Sequence, residues 1–297
     1  MNSKSPLGFL YALLAYASWG VFPLYWKHFT GVSPLEIIGH RVLWSLFFLL
    51  LLVVFFKQLG ELRSVLTNKA QLGILLLTAT LLSTNWGFFI YGVISSQVVQ
   101  TSFGYFLNPL VTILFGFLFL KERLTRLQWI AVGIAACGVL LFGVTLGKFP
   151  WIAVGLAVTF AFYGLLRKIV AVTPMVGLLA ETLLMAIPAV FVVQAFAATS
   201  RFDSSLSMSL LFVGAGVVTT LPLIWFNSAA KLLPLSTMGF LQYVAPTIQL
   251  LIGIFVFKES FSLREGASFA LIWLAIALYL FTLWKSRRYP VVIPDAD

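Results

Sequence analysis

Charge is what this sequence has least of. Of its 297 residues, 9% are Asp, Glu, Lys or Arg and 61% are hydrophobic, whereas a water-exposed surface needs roughly a quarter of its residues charged. A soluble enzyme is excluded on that ground. Cysteine is nearly absent as well: Cys137 stands alone inside an apolar run, so the chain can form no internal disulfide and no thiolate metal site. The two histidines, His28 and His40, are twelve residues apart. No phosphate-binding glycine loop, no His-Glu-x-x-His zinc pattern and no paired acidic motif of the prenyltransferase kind occurs. No cofactor and no metal is expected, nor is coupling to bound ATP, leaving an ion gradient, exchange or facilitated diffusion.

What the chain has in excess is uninterrupted apolarity. A hydrocarbon core of about 30 Å takes about 20 apolar residues per helix. Runs of that kind, bounded by proline, glycine or charge, fall at 7–26, 34–56, 71–95, 98–120, 127–146, 149–172, 175–197, 207–229, 235–257 and 265–284. Continuous rather than alternating apolarity makes them helices, because in lipid each backbone polar group must be satisfied within its own segment or in a closed barrel. The expected fold class is an all-α integral membrane protein of ten transmembrane helices. Ala15, Tyr16 and Ala17 imitate a leader cleavage site, but the apolar stretch continues through Trp26, which reads as an uncleaved first span.

The net charge of +10 does not imply a nucleic-acid partner, because the cations sit in short segments between apolar runs. Thirteen lie at the N-terminus, the even-numbered connections and the C-terminus: Lys4, Lys57, Arg63, Lys69, Lys121, Arg123, Arg126, Arg167, Lys168, Lys231, Lys285, Arg287 and Arg288. Five lie on the opposite face: Lys27, Lys148, Arg201, Lys258 and Arg264. That bias places both termini in the cytoplasm. Every connection is short, so no extramembrane domain is expected to carry a catalytic centre.

The chain also repeats itself. Phe103, Tyr105 and Pro109, followed by an apolar run ending in Lys121-Glu122, are echoed 137 residues later by Phe240, Gln242, Pro246 and Lys258-Glu259. Ser18-Trp19-Gly20 aligns with Phe162-Tyr163-Gly164, and Val32-Ser33-Pro34 with Val172-Thr173-Pro174. Five spans per copy is odd, so the second copy enters the membrane from the other side. Residues 1–146 and 147–285 are therefore expected to be two inverted five-helix repeats, with 286–297 a cytoplasmic tail. Such inverted repeats are an architecture of secondary transporters.

Within the spans, ionisable groups are costly, about 2.5–3.5 kcal/mol at mid-bilayer on insertion scales, and mark functional candidates. Three stand out: His40, Arg41 and Glu181. Arg41 lies about 10 Å below the outer face and Glu181 about as deep from the inner face, at ~1.5 Å per residue. A direct salt bridge is not expected across the remaining distance. Arg41 is expected to attract a carboxylate or other anionic group in the outer half of a polar cavity, with Glu181 as a cation or proton site in the inner half. A zwitterion would fit between them, and proton coupling through Glu181 is compatible with the pattern. Glu36 reads as interfacial. The same depth estimate brings Asn85, Trp86 and Tyr105 to the level of Arg41, Gln242 and Tyr243 to that of Glu181, and Trp19, Tyr163 and Asn108 near the midplane. Each of these side chains can equally serve to hold helices together. Pro109, Pro188, Pro222 and Pro246 interrupt spans, and the repeat-related pair Pro109 and Pro246 are candidate hinges. Small residues at four-residue spacing (Ala153, Ala157 and Ala161; Ala131 and Ala135; Gly143 and Gly147) allow close helix contact.

Gly39 to Ser45 with His40, Arg41 and Trp44, Asn85-Trp86, Ser102 to Leu110, Lys121 to Arg123, Gln128-Trp129, Glu181-Thr182 and Gln242-Tyr243 with Pro246-Thr247 resemble the RarD branch of the bacterial EamA transporters, in the drug/metabolite transporter superfamily. The resemblance runs over about residues 7 to 285. It implies an inner-membrane permease of ten helices in two inverted repeats, carrying a chloramphenicol-sensitivity or chloramphenicol-resistance label. Amino acids and similar small metabolites are the substrate class it suggests. The family pattern falls on His40, Arg41, Trp44, Ser45, Asn85, Trp86, Gly104, Tyr105, Asn108, Pro109, Tyr163, Gly164, Glu181, Gln242, Tyr243 and Pro246. Departures are Phe103, where leucine is commoner, and Ser260, opposite Arg123 of the first half. The expected function is an exporter or exchanger of small molecules in a lipid bilayer. A passive pore, a lipid flippase or a membrane-embedded lipid-modifying enzyme are the competing readings.

Overall fold

In a computed structural model, residues 5–95, 97–144, 149–258 and 263–288 are described. They form twelve α-helices and, among the described residues, no strand. The helices are α1 (Pro6–Trp26), α2 (Pro34–Phe55), α3 (Leu59–Thr67), α4 (Lys69–Ile94), α5 (Val98–Leu120) and α6 (Arg126–Gly143), followed by α7 (Trp151–Ile169), α8 (Pro174–Ala195), α9 (Leu206–Leu232), α10 (Leu235–Gln242), α11 (Val244–Phe255) and α12 (Leu263–Arg288). Ten segments are long and apolar enough to cross a membrane, with α10 and α11 together making one of them. Of the residues singled out in the sequence, Lys4, Gly147, Lys148, Glu259 and Ser260 lie outside the described residues.

Helix starts follow local chemistry. Pro6, Pro34 and Pro174 each occupy the first turn of a helix, where a missing N–H costs nothing, behind Ser5, Ser33 and Thr173. Thr125 and Gln128 form a reciprocal capping box at α6. Three helices, α2, α5 and α11, run out into lysines in the left-handed region, Lys57, Lys121 and Lys258, at φ 56°, 53° and 57°, a conformation usually left to glycine. Lys121 and Lys258 are the pair related by the 137-residue offset.

Two features were not legible as spans. Residues 59–67 of the second connection form α3, a short helix that buries Leu62 and Val65. The ninth span is broken at Tyr243 into α10 and α11. Pro246 has no N–H to offer the carbonyl of Gln242 four residues earlier, and its ring crowds that carbonyl. The repeat-related Pro109 sits inside a continuous α5, so the two candidate hinges differ in backbone form.

Side-chain bonds between distant segments fix which helix ends lie together. At the end holding the start of α1 and the end of α12, called here the terminal end, Glu61 of α3 accepts from the N–H and hydroxyl of Thr173 at 2.8 and 2.9 Å. Glu122 accepts from Leu235 N, Ser236 N and Ser236 Oγ at 2.6, 2.9 and 2.7 Å, capping α10. Lys168 donates to the Ala230 carbonyl at 2.7 Å and to that of Leu233, and Lys231 donates to Val170, so α7 and α9 each supply an ammonium to the carbonyls that end the other. At the opposite end, Tyr25 donates to Leu211 O at 2.5 Å. Glu36 accepts from Ser200 Oγ and Arg201 N at 2.7 and 2.9 Å. Glu36 is thus buried at 2% exposure, a tie between α2 and the segment joining α8 to α9 instead of an interfacial charge.

Packing uses small residues at close crossings. Ala153, Ala157 and Ala161 of α7 and Ala131 and Ala135 of α6 are all buried. Gly143 lies under the Phe103 ring, and a Cβ at Gly216 of α9 would stand 2.5 Å from the Trp44 carbonyl carbon and 2.7 Å from Ser45 N of α2. Ser45 Oγ donates to the Gly216 carbonyl at 3.1 Å across the same crossing. The main pairings are α2 with α8 and α9, α6 with α12, α5 with α10 and α7, α1 with α9 and α11, and α4 with α7.

Candidate functional site

The helices enclose a cavity of about 460 Å³, in the range of small-molecule sites. Its inner part is built at mid-helix level by Trp19, Leu82, Asn108, Leu223 and Gln242. Its outer part is built by Phe22, Trp26, Ile37, Ile38 and Phe89, which lie toward the opposite end from the termini. Arg41, Asn85, Trp86 and Tyr105 line the stretch between them. Eight of the thirteen candidate binding and hinge residues therefore share one cavity: Trp19, Arg41, Asn85, Trp86, Tyr105, Asn108, Gln242 and Pro246.

Arg41 is the cation of this cavity. Its guanidinium lies over the Trp86 ring, 4.0 Å from the centroid, and its Nε and Nη2 are buried without a hydrogen-bond partner among the described residues. No carboxylate of a described residue comes within ion-pair distance of it. Among the described residues the guanidinium thus has an aromatic face for a neighbour and two nitrogens without an acceptor. Tyr105, 43% exposed, presents its ring in the same cavity. The amides are more fully engaged. Asn85 Nδ2 donates to Leu156 O and Thr159 Oγ1 at 2.8 and 3.0 Å. Asn108 Oδ1 accepts from Gln242 Nε2 at 2.8 Å and from Thr112 Oγ1 at 3.1 Å, tying α5 to α10 across the cavity wall.

Glu181 lies elsewhere. It is 1% exposed and forms an ion pair with Arg167, Nε to Oε1 at 3.5 Å. It also accepts from Thr78 Oγ1 at 2.6 Å and Tyr163 Oη at 3.3 Å, and Asn227 Nδ2 donates to the same tyrosine at 3.0 Å. The expectation of a free carboxylate in the inner half of the cavity is therefore replaced by a buried network. Arg167, assigned by sequence to a cytoplasmic connection, is wholly buried. Its guanidinium lies against Gly177, where a Cβ would come within 2.0 Å of Nη1, and Nη2 donates to the Pro174 carbonyl at 3.1 Å. A second, small cavity of about 20 Å³, room for about one water, is lined by Arg41, Trp86, Glu181, Thr182 and Thr220. Arg41 and Glu181 are thus neighbours across a small space and not a salt bridge.

Three expected site residues are occupied by packing. His40 stacks on Phe202 at 4.8 Å and packs on Phe212 at 4.6 Å, away from the cavity. Tyr243 is buried at the α10–α11 break, its hydroxyl donating to Phe106 O at 3.3 Å. Tyr163 stacks on Phe226 and belongs to the Glu181 network. With Tyr16, Trp19 and Phe160 they form an aromatic layer between the cavity and the terminal end. Below that layer come the Arg167–Glu181 network and the reciprocal lysines of α7 and α9. Toward the terminal end the cavity is backed by this aromatic layer, by the Glu181 network that shares Tyr163 with it, and by the lysine ties at the ends of α7 and α9. Sequence reasoning missed Arg167, Thr78, Asn227, Gln249 and Phe160; an arginine two residues before a helix end, in an Arg-Lys pair, reads as an interface charge.

Residues 6–144 match the model of the EamA-like transporter family. The protein RarD of Salmonella typhi is 44% identical over 284 residues, covering 95% of this chain and 97% of that one. The chain belongs to the EamA-like transporter family, in its RarD branch. A protein of Vibrio cholerae serotype O1 named as an uncharacterized transporter is 42% identical over 275 residues, covering 92% of this chain and 91% of its own. A crystal structure with a TM-score of 0.68 and 18% identity, covering 93% of this chain and 96% of its own, shares the fold. The protein is a multi-pass membrane transporter, and its family implies a small-molecule substrate and a bilayer environment.

Proposed function

We propose that the protein is a secondary transporter of the bacterial inner membrane, with both termini cytoplasmic, that exports or exchanges small metabolites or drugs by alternating access. In this reading residues 1–146 and 147–285 are inverted repeats, and 286–297 are a cytoplasmic tail. The observation that carries it is a cavity whose lining runs from mid-helix level toward the end away from the termini, with packed aromatic and ionic contacts between it and the terminal end. A pore would be continuous; a one-sided cavity is what one state of an alternating-access carrier requires. The packing supports the repeat: when the five spans of one half are exchanged in order for those of the other, α2 with α8, α5 with α10 and α6 with α12 each map onto themselves, and α1 with α9 maps onto α7 with α4. The left-handed lysines Lys121 and Lys258 support it too.

Arg41, Trp86 and Tyr105 are the groups that meet the substrate's anionic and aromatic parts, while Asn108 and Gln242 form the inner wall. The test is uptake of labelled amino acids and of chloramphenicol by inside-out vesicles, with and without a protonophore, against vesicles lacking the protein. Saturable accumulation that collapses with the gradient supports proton-coupled export, and saturable flux insensitive to it supports exchange. Flux that rises linearly with concentration overturns the carrier reading.

A further inference from the structure

The charge of the cavity is not balanced. Among the described residues that line it, Arg41 is the lone charged side chain; the rest of the lining is aromatic, aliphatic or uncharged polar. The carboxylate that a substrate ammonium would need is absent from the lining. Glu181 touches the small neighbouring cavity and is taken up by Arg167, Thr78 and Tyr163. Glu36 is bonded to Ser200 and Arg201 at the outer end of α2. A molecule entering here meets one unpaired guanidinium, backed by an indole, and a wall of rings.

Resting on the carrier reading above, we infer that the substrate is a net anion with an apolar, ring-bearing body, a small aromatic carboxylate in class, and not a zwitterion. Its carboxylate meets Arg41, and its ring lies among Trp19, Tyr105 and Phe160, which line the same cavity. The physical reason is differential desolvation. A carboxylate loses its water but gains a charge-assisted partner in Arg41. An α-ammonium loses its water, finds no carboxylate, and stands in the same small volume as a like charge. At about 460 Å³ the cavity holds a ring and a short acid chain with room to spare, and Arg41 lies on its wall with aromatic rings to either side, so the acid end is held while the ring packs on aromatic neighbours.

A matched series separates charge from shape: 3-phenylpropionate, phenylalanine and 2-phenylethylamine carry the same ring on a two-carbon chain. Binding of each to the detergent-solubilised full chain is read by titration calorimetry. The expected order is the anion tighter than the zwitterion by about tenfold or more, the scale of a single charge-assisted contact, with the amine weakest. Arg41→Gln abolishes the discrimination, Arg41→Lys retains the order, and Glu181→Gln leaves it unchanged. Equal or tighter binding of phenylalanine, no binding of 3-phenylpropionate at millimolar concentration, or an unchanged order in Arg41→Gln overturns the inference. Saturable vesicle uptake of phenylalanine alongside such a result would leave the carrier reading standing and remove only the charge selectivity.

Discussion

The buried Arg167–Glu181 pair offers the sharpest energetic test of the structure. Both side chains are removed from solvent, at 0% and 1% exposure, and meet at 3.5 Å. Neutralising one partner leaves the other charge buried without its ion-pair partner. Breaking such a pair costs about 3–5 kcal/mol, whereas replacing both partners by apolar side chains of similar volume is often close to neutral. Arg167→Met and Glu181→Met are each expected to lower the thermal midpoint of the purified protein by roughly 6–20 °C at about 2–4 °C per kcal/mol. The double variant is expected to be more stable than either single one. It still loses the acceptor for Thr78 and Tyr163, about 1 kcal/mol per hydrogen bond, so it does not regain the parent's stability. Thermal unfolding in one detergent, followed by intrinsic fluorescence across all four proteins, measures the cycle. Single costs that simply add in the double variant, within about 0.5 kcal/mol, would refute the pairing.

Further consequences follow from other close contacts. Gly177→Ala places a methyl against the Arg167 guanidinium and is expected to cost about 1–3 kcal/mol; in an Arg167→Met background the same change is expected to be tolerated, which thermal unfolding of the pair checks. Gly216→Ala drives a Cβ into the backbone of Trp44 and Ser45, which cannot yield as a side chain can, so the folded yield in membranes should fall sharply while Gly73→Ala, with nothing within 4 Å of its Cβ, leaves it unchanged. Glu122→Ala frees three donors at the start of α10, with an expected cost of about 1–3 kcal/mol and faster hydrogen exchange over 235–242 than elsewhere.

The ten spans were readable because length and apolarity are set by the bilayer, and proline, serine and threonine marked several helix starts. The interruption at Tyr243 was not, since the apolar run passes through it and Pro109 in the same repeat position leaves α5 intact. Helix α3 escaped because nine residues cannot span a membrane. Of the site, the Arg41 level was recoverable from depth arithmetic, which brought Asn85, Trp86 and Tyr105 to one cavity. The Glu181 level was not. Arithmetic along the membrane normal gives depth but no azimuth, so it could not show that Glu181 turns toward Thr78 and Tyr163 while Gln242 turns toward Asn108. Nor could it show that Arg167, close to a helix end, folds inward over Gly177 while its neighbour Lys168 reaches the end of α9. His40 was separated from Arg41 by the 100° turn between adjacent helical residues, and aromatic stacking on Phe202 and Phe212 accounts for it.

The central claim is that this cavity opens to one side at a time. Two cysteines introduced singly, in a Cys137→Ser background, report on it: Ala245→Cys in the cavity wall and Ala230→Cys beyond the layers toward the terminal end, where the native residue is fully buried. Labelling by a membrane-impermeant thiol reagent, in right-side-out and inverted vesicles with and without a transported substrate, measures both. Alternating access predicts reciprocal change: when substrate raises labelling at 230, it lowers labelling at 245 by a matching fraction. Simultaneous reactivity at both positions, or changes at one that leave the other untouched, would contradict it.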